Sequence, residues 1–259
     1  MAISSNSIIH YTKELSGLES IIKSKGFRIC YCSEKVNTRG GQSYAFAIPM
    51  VSFCDIPITD YKKHFYHTKG KKRGYYGDYG IGLNKAWASK CGLNPVSYID
   101  YNSFTGTGLR KCVEYFLNSK SSSSKNPISN SDINELLQIA LYAKNYQGEL
   151  IINGQLEDKK YKFYDEREWR FVPKSSDIKN NEILLDISDY EADKDKFNDA
   201  IKDCLLNFSL NDISYIIVNS ESEIEYIVDL LKKETGTDDK LFKKIVTKIF
   251  TNEQILADF

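Results

Sequence analysis

The sequence predicts an α+β fold in a single domain, and three observations carry that expectation. Segments with the period of two typical of strands are mixed with segments at helical spacing without strict alternation, which argues against a doubly wound parallel sheet. At 259 residues, 41% hydrophobic and 13% aromatic, the chain has enough apolar surface for a sizeable core, and no long hydrophilic hinge divides it. The third is residues 163–173, Phe-Tyr-Asp-Glu-Arg-Glu-Trp-Arg-Phe-Val-Pro, which read as a late strand that organises the rest. A period of two puts Glu166, Glu168 and Arg170 on one face and Arg167, Trp169 and Phe171 on the other. The apolar face is expected to be buried and the other to present charge, with Pro173 ending the strand.

The elements follow in order. Ile8, Ile9, His10 and Tyr11 form a short apolar run for a first strand. Ser16 and Glu19 have capping-box spacing for a helix that buries Leu18, Ile21 and Ile22 and closes at Gly26. Residues 27–32 alternate as a strand, 33–47 with Gly40-Gly41 are loop-like, and 48–53 suit a buried strand ended by Pro57. Residues 75–83 are rich in tyrosine and glycine, which suggests close approach of backbone to a ligand or another strand. Asn84 caps a short helix closed by Gly92, Asn94-Pro95 turns the chain, and 96–101 form a strand. Residues 108–117 read as a helix, 119–131 as a serine-rich mobile loop, and 133–146 as an amphipathic helix. A hairpin then joins 150–152 to 160–172 around polar 153–158. Residues 182–187 alternate as a strand, 197–206 are helical, and 213–218 are a buried strand. An amphipathic helix carries Ile224, Ile227, Val228, Leu230 and Leu231, and 240–249 fit either helix or strand. Thr251 and Gln254 cap a last short helix.

Composition excludes several classes. Lysine plus arginine (35) balances aspartate plus glutamate (35), so no global field holds nucleic acid or an anionic membrane. No window approaches the apolar length of a membrane span and the start carries no export signal, so the expected location is the cytoplasm, with no membrane partner. Cys30, Cys32, Cys54, Cys91, Cys112 and Cys204 lack the spacing of a zinc site and read as reduced thiols; no metal is expected. Phosphate-loop, dinucleotide and Gly-x-Ser-x-Gly motifs are absent.

Two stretches remain as candidate chemistry. Glu166 and Glu168 on one strand face repel each other unless a cation or a hydroxyl-rich ligand bridges them, and the plain alternative is neutralisation by Arg167 and Arg170 on a solvated edge. Residues 62–73 are the one dense basic run; Lys69, Lys71, Lys72 and Arg73 are candidate phosphate contacts, against the commoner reading of a solvated loop.

Several motifs together resemble the AbiGi family of abortive-infection proteins across nearly the whole chain. They are His10-Tyr11-Thr12 with the Ser16-Gly17-Leu18 helix start, residues 51–57, residues 76–83 with Trp87, residues 166–170, and the segments 248–251 and 258–259. That resemblance implies a role in bacterial phage resistance, the family being described as the antitoxin half of a two-protein system. A partner toxin or a phage-derived trigger follows from it. The order of an early histidine, a helix, a tyrosine-bearing strand and a late Glu-x-Glu strand is similar to ADP-ribosyltransferases of the DarT-like kind. This second similarity implies an ADP-ribosyltransferase-like arrangement of mixed sheets with flanking helices and NAD as the substrate. His10 would hold the NAD ribose with Tyr11 and Thr12 beside it. Tyr79 would stack on nicotinamide, with Tyr75 or Tyr76 as alternatives. Glu168 would stabilise the oxocarbenium-like state, Glu166 would orient the acceptor, and Arg170 would help bind the cofactor. The alternative is a non-catalytic antitoxin or regulator that binds a partner protein, or nucleic acid through residues 62–73.

Overall fold

Ile8 and Ile9 are fully buried, and the strand they seed, Ser7–Thr12, is central to the longest sheet of its part of the chain. A computed structural model describes residues 5–37, 43–60, 77–121, 137–152 and 155–258. The architecture is mixed α+β, and the chain divides into two compact units. The first comprises Met1–Ile29, Val51–Leu93 and Lys202–Phe259; the second comprises Cys30–Met50 and Asn94–Ile201.

In the first unit, Ser7–Thr12 pairs antiparallel with Tyr79–Asn84 on one side and meets Cys54 through Ile9 on the other. Tyr79–Asn84 pairs antiparallel with Ile213–Val218, which pairs in parallel with Ile249–Thr251. The glycines of the third motif permit this packing: a Cβ on Gly82 would lie 2.4 Å from the Tyr215 ring. Ile9, Tyr215, Ile217 and Ile255 form the core on that face. The helix Leu15–Ser24 starts at Glu14, without a side-chain cap, so the Ser16–Glu19 box is not used. Thr12 Oγ1 instead donates to the Glu14 carbonyl, and Lys25, at φ 51°, takes the left-handed closing position expected of Gly26. Gly26 opens the strand Gly26–Arg28, where Leu205 of the opposing Leu205–Asn207 strand approaches closely. That pairing also shortens the helix expected over 197–206, which is Lys194–Ala200.

In the second unit, Cys30–Asn37 runs antiparallel to Ser43–Cys54 from Cys30↔Met50 to Asn37↔Ser43, so most of the loop expected over 33–47 is hairpin strand. Gly40-Gly41 lies outside the described residues. Leu185–Asp186 adds to the same strand at Ala47 and Phe46 and then gives way to a helix, Ile187–Ala192. Asn94–Pro95 is an exposed pairing segment against Trp169 and Arg170 rather than a turn. Ser97–Ile99 pairs in parallel with Ala143–Asn145, which ends the helix expected to reach residue 146. Gly148–Ile152 and Gln155–Tyr161 form the hairpin, with a shorter connection than expected. Ile48, Met50, Leu141 and Val172 make up one core cluster here.

Candidate functional site

The stretch 163–173 does not form one strand. Phe163–Glu166 is a 3-10 turn, Arg167 closes it at φ 45°, and the strand is Glu168–Phe171. Its faces are also the reverse of the expectation: Glu168 and Arg170 are buried, and Trp169 and Phe171 are half-buried. Charge can go inside because every group finds a partner. Arg170, 1% exposed, lies two residues from Glu168 on the same face. Its Nε donates to Glu168 Oε1 at 2.9 Å and its Nη2 to Oε2 at 3.3 Å. Nη2 also donates to Glu34 Oε1 at 2.7 Å, and Nη1 donates to the Leu141 carbonyl at 2.7 Å.

Lys144 completes the cluster. Three residues per 3-10 turn put Phe163 and Glu166 on one side, where both meet Lys144. Its Nζ donates to Glu166 Oε2 at 2.7 Å and Glu168 Oε2 at 2.9 Å, and lies 5.2 Å from the Phe163 ring centre. Burial alone would lower the lysine pKa, but the carboxylates of Glu168, Glu166 and Glu34 outweigh it and hold the ammonium well above its ordinary value. Arg170 is likewise raised by Glu168 and Glu34 against the opposing effect of burial. The Glu168 backbone N–H donates to the Tyr98 hydroxyl at 2.8 Å, and burial raises the Tyr98 pKa. Among the described residues, the carboxylates of Glu34, Glu166 and Glu168 are thus held by two cations, Arg170 and Lys144, in a largely dry setting.

The other predicted residues lie in the first unit. The register Thr12↔Tyr79 and His10↔Ile81 places His10, Thr12 and Tyr79 on one sheet face, with His10 and Tyr79 as diagonal neighbours. Tyr11 is on the opposite face, packed against the Ile9, Tyr215, Ile217 and Ile255 core. His10 Nδ1 lies 2.9 Å from the Ser52 carbonyl, and its ring meets Phe27 and Phe53 edge-on at 5.0 and 5.5 Å. Desolvation lowers the His10 pKa more than the Ser52 contact raises it, so the ring is neutral at pH 7. The Tyr79 hydroxyl donates to Glu223 Oε1 at 2.7 Å.

The basic residues Lys69, Lys71, Lys72 and Arg73, the alternative tyrosines 75 and 76, and most of the loop expected over 119–131 lie outside the described residues. Among the described residues no helix is long and apolar enough to cross a membrane, and no three His, Cys, Asp or Glu side chains are grouped to hold a metal. Lys144, Glu34 and Tyr98 were missed by sequence reasoning. Glu34 and Lys144 sat in an expected loop and helix, and only the excess of carboxylate at 166 and 168 signalled that a buried cation was required.

A family model described as "Putative abortive phage resistance protein AbiGi, antitoxin" matches residues 26–219. The chain is 31% identical over 228 residues to a Lactococcus lactis subsp. cremoris protein named "Abortive phage resistance protein AbiGi", a match covering 82% of this chain and 89% of that protein. No solved structure matches.

Proposed function

This chain belongs to the AbiGi family of abortive phage resistance proteins, and from that premise we propose that it acts as the antitoxin of a toxin pair, by binding its partner rather than by catalysis. The observation that carries this reading is the state of Glu168. Both its carboxylate oxygens are held by Arg170, and one also by Lys144. A carboxylate that must stabilise a developing ribosyl cation needs a lone pair aimed at substrate. Glu168 instead spends its charge on the second unit's own cations, as a structural ion pair does.

A second reading, an NAD-using ADP-ribosyltransferase-like effector released by a phage-derived trigger, has one observation in its favour. His10 and Tyr79 share a sheet face as neighbours, which suits a histidine on ribose and a tyrosine on nicotinamide.

The deciding experiment pairs growth with turnover. The reading frame beside this gene is expressed alone and together with this chain, while NAD consumption and label transfer from NAD to lysate are followed. Growth arrest relieved by this chain, with background NAD turnover, is expected. NAD turnover by wild type that Glu168→Gln reduces about a hundredfold to a thousandfold would overturn the antitoxin reading in favour of the enzyme.

A further inference from the structure

Most of the exposed large hydrophobic side chains among the described residues belong to the second unit, and two of them touch each other beside the charge cluster. Tyr164 is 52% exposed and Tyr146 38% exposed, with ring centres 5.7 Å apart. Tyr164 also meets the Tyr98 ring at 5.4 Å, and Tyr98 carries the Glu168 backbone N–H on its hydroxyl. Glu166, 6% exposed, uses only Oε2 in a hydrogen bond, to Lys144; Oε1 has no partner among the described residues. The cluster thus combines a carboxylate oxygen uncommitted among the described residues and outward-facing aromatic rings. It already holds one cation in this way, since Lys144 sits between carboxylates and the face of Phe163.

We propose that Tyr164, Tyr146, Tyr98 and Glu166 form the docking point for a cationic side chain, an arginine or lysine presented by the partner protein. The proposal rests on the partner-binding reading above. Charge complementarity selects the occupant. A guanidinium stacks on tyrosine and donates to a carboxylate at once, and both interactions gain strength where water is partly excluded. An acidic or purely apolar segment would leave the Glu166 Oε1 acceptor without a donor. Aromatic anchors beside a partly desolvated charge are also where interface energy concentrates.

The test uses the full chain and two short fluorescein-labelled glycine-leucine peptides that differ only at the centre, arginine in one and its neutral isostere citrulline in the other. Fluorescence anisotropy should show the arginine peptide binding at least about tenfold more tightly, a difference of ~1.4 kcal/mol. Glu166→Gln and Tyr164→Ala should each abolish that preference. Because Glu166→Gln also removes a Lys144 partner, the exposed Tyr164→Ala variant, checked for an unchanged unfolding midpoint, keeps the test decisive. Equal binding of the two peptides by wild type, or a preference that survives Tyr164→Ala, overturns the proposal. So does Tyr164-dependent binding of a single-stranded oligonucleotide in place of the peptide. Failure here leaves the antitoxin reading to the growth and NAD assay, whose outcome is independent of these peptides.

Discussion

Arg170 uses all three of its nitrogens inside the second unit, on Glu168, Glu34 and the Leu141 carbonyl, so its removal strands groups on three separate segments. Arg170→Met keeps much of the volume but leaves Glu168 and Glu34 without it, and should destabilise the fold by about 3 to 5 kcal/mol. Urea unfolding at neutral pH measures this. Lys144 adds no pH dependence near neutrality. Its pKa is raised, so the stability it contributes is complete below the unfolded lysine value and is lost only as pH rises through the higher folded one. His10 behaves in the opposite sense. Its folded pKa is lowered, so protonation favours the unfolded chain, and stability falls as pH drops below the unfolded value of about 6.5. His10→Phe, which keeps an aromatic ring against Phe27 and Phe53, should remove up to about 1.4 kcal/mol per pH unit of that slope as pH falls below about 6.5. Parallel urea titrations of wild type and variant at several pH values give the difference, and identical slopes would rule out the assignment.

Among the elements, the glycine-rich strand shows which sequence signals carry over into packing. Gly77 sits at φ 120°, where a Cβ would lie 2.0 Å from the Thr12 carbonyl oxygen, whereas Gly92, at φ 80°, has nothing within 4 Å. Gly92→Ala should therefore cost only the backbone conformation, about 1 to 2 kcal/mol, and Gly77→Ala distinctly more, because backbone must move as well. Unfolding midpoints of the two variants test the order. Local signals of this kind were legible. Asn84 accepts from the Trp87 N–H at 2.8 Å, and Thr251 and Gln254 exchange side-chain bonds with each other's backbone, as their spacing implies. Nonlocal pairing was not. Residues 33–37 are polar enough to read as loop, and become strand because they lie opposite Ser43, Tyr44, Ala45, Phe46 and Ala47. Ala143–Asn145 continues a helical spacing, yet Ser97–Ile99 draws it into a parallel pair. The candidate site failed to read correctly for the same reason. Burial of the charged face at Glu168 and Arg170 depends on Glu34 and Lys144, which are distant in sequence and reach it only through those pairings.

At the scale of the whole molecule, each unit closes over parts of the chain that are far apart in sequence. The first unit's central strand pair, Ser7–Thr12 with Tyr79–Asn84, is flanked by Ile213–Val218, which in turn supports Ile249–Thr251. The second unit contains no residue beyond Ile201. The order in which a ribosome releases the chain therefore matters. The second unit's residues have all been synthesised before the strand Ile213–Val218 exists, while Ser7–Thr12 and Tyr79–Asn84 of the first unit wait for residues 213–218, with apolar positions such as Ile81 and Leu83 lacking their Ile216 and Ile213 neighbours. A nascent chain halted in that interval exposes strand edges that the finished protein covers, and is a natural substrate for proteases.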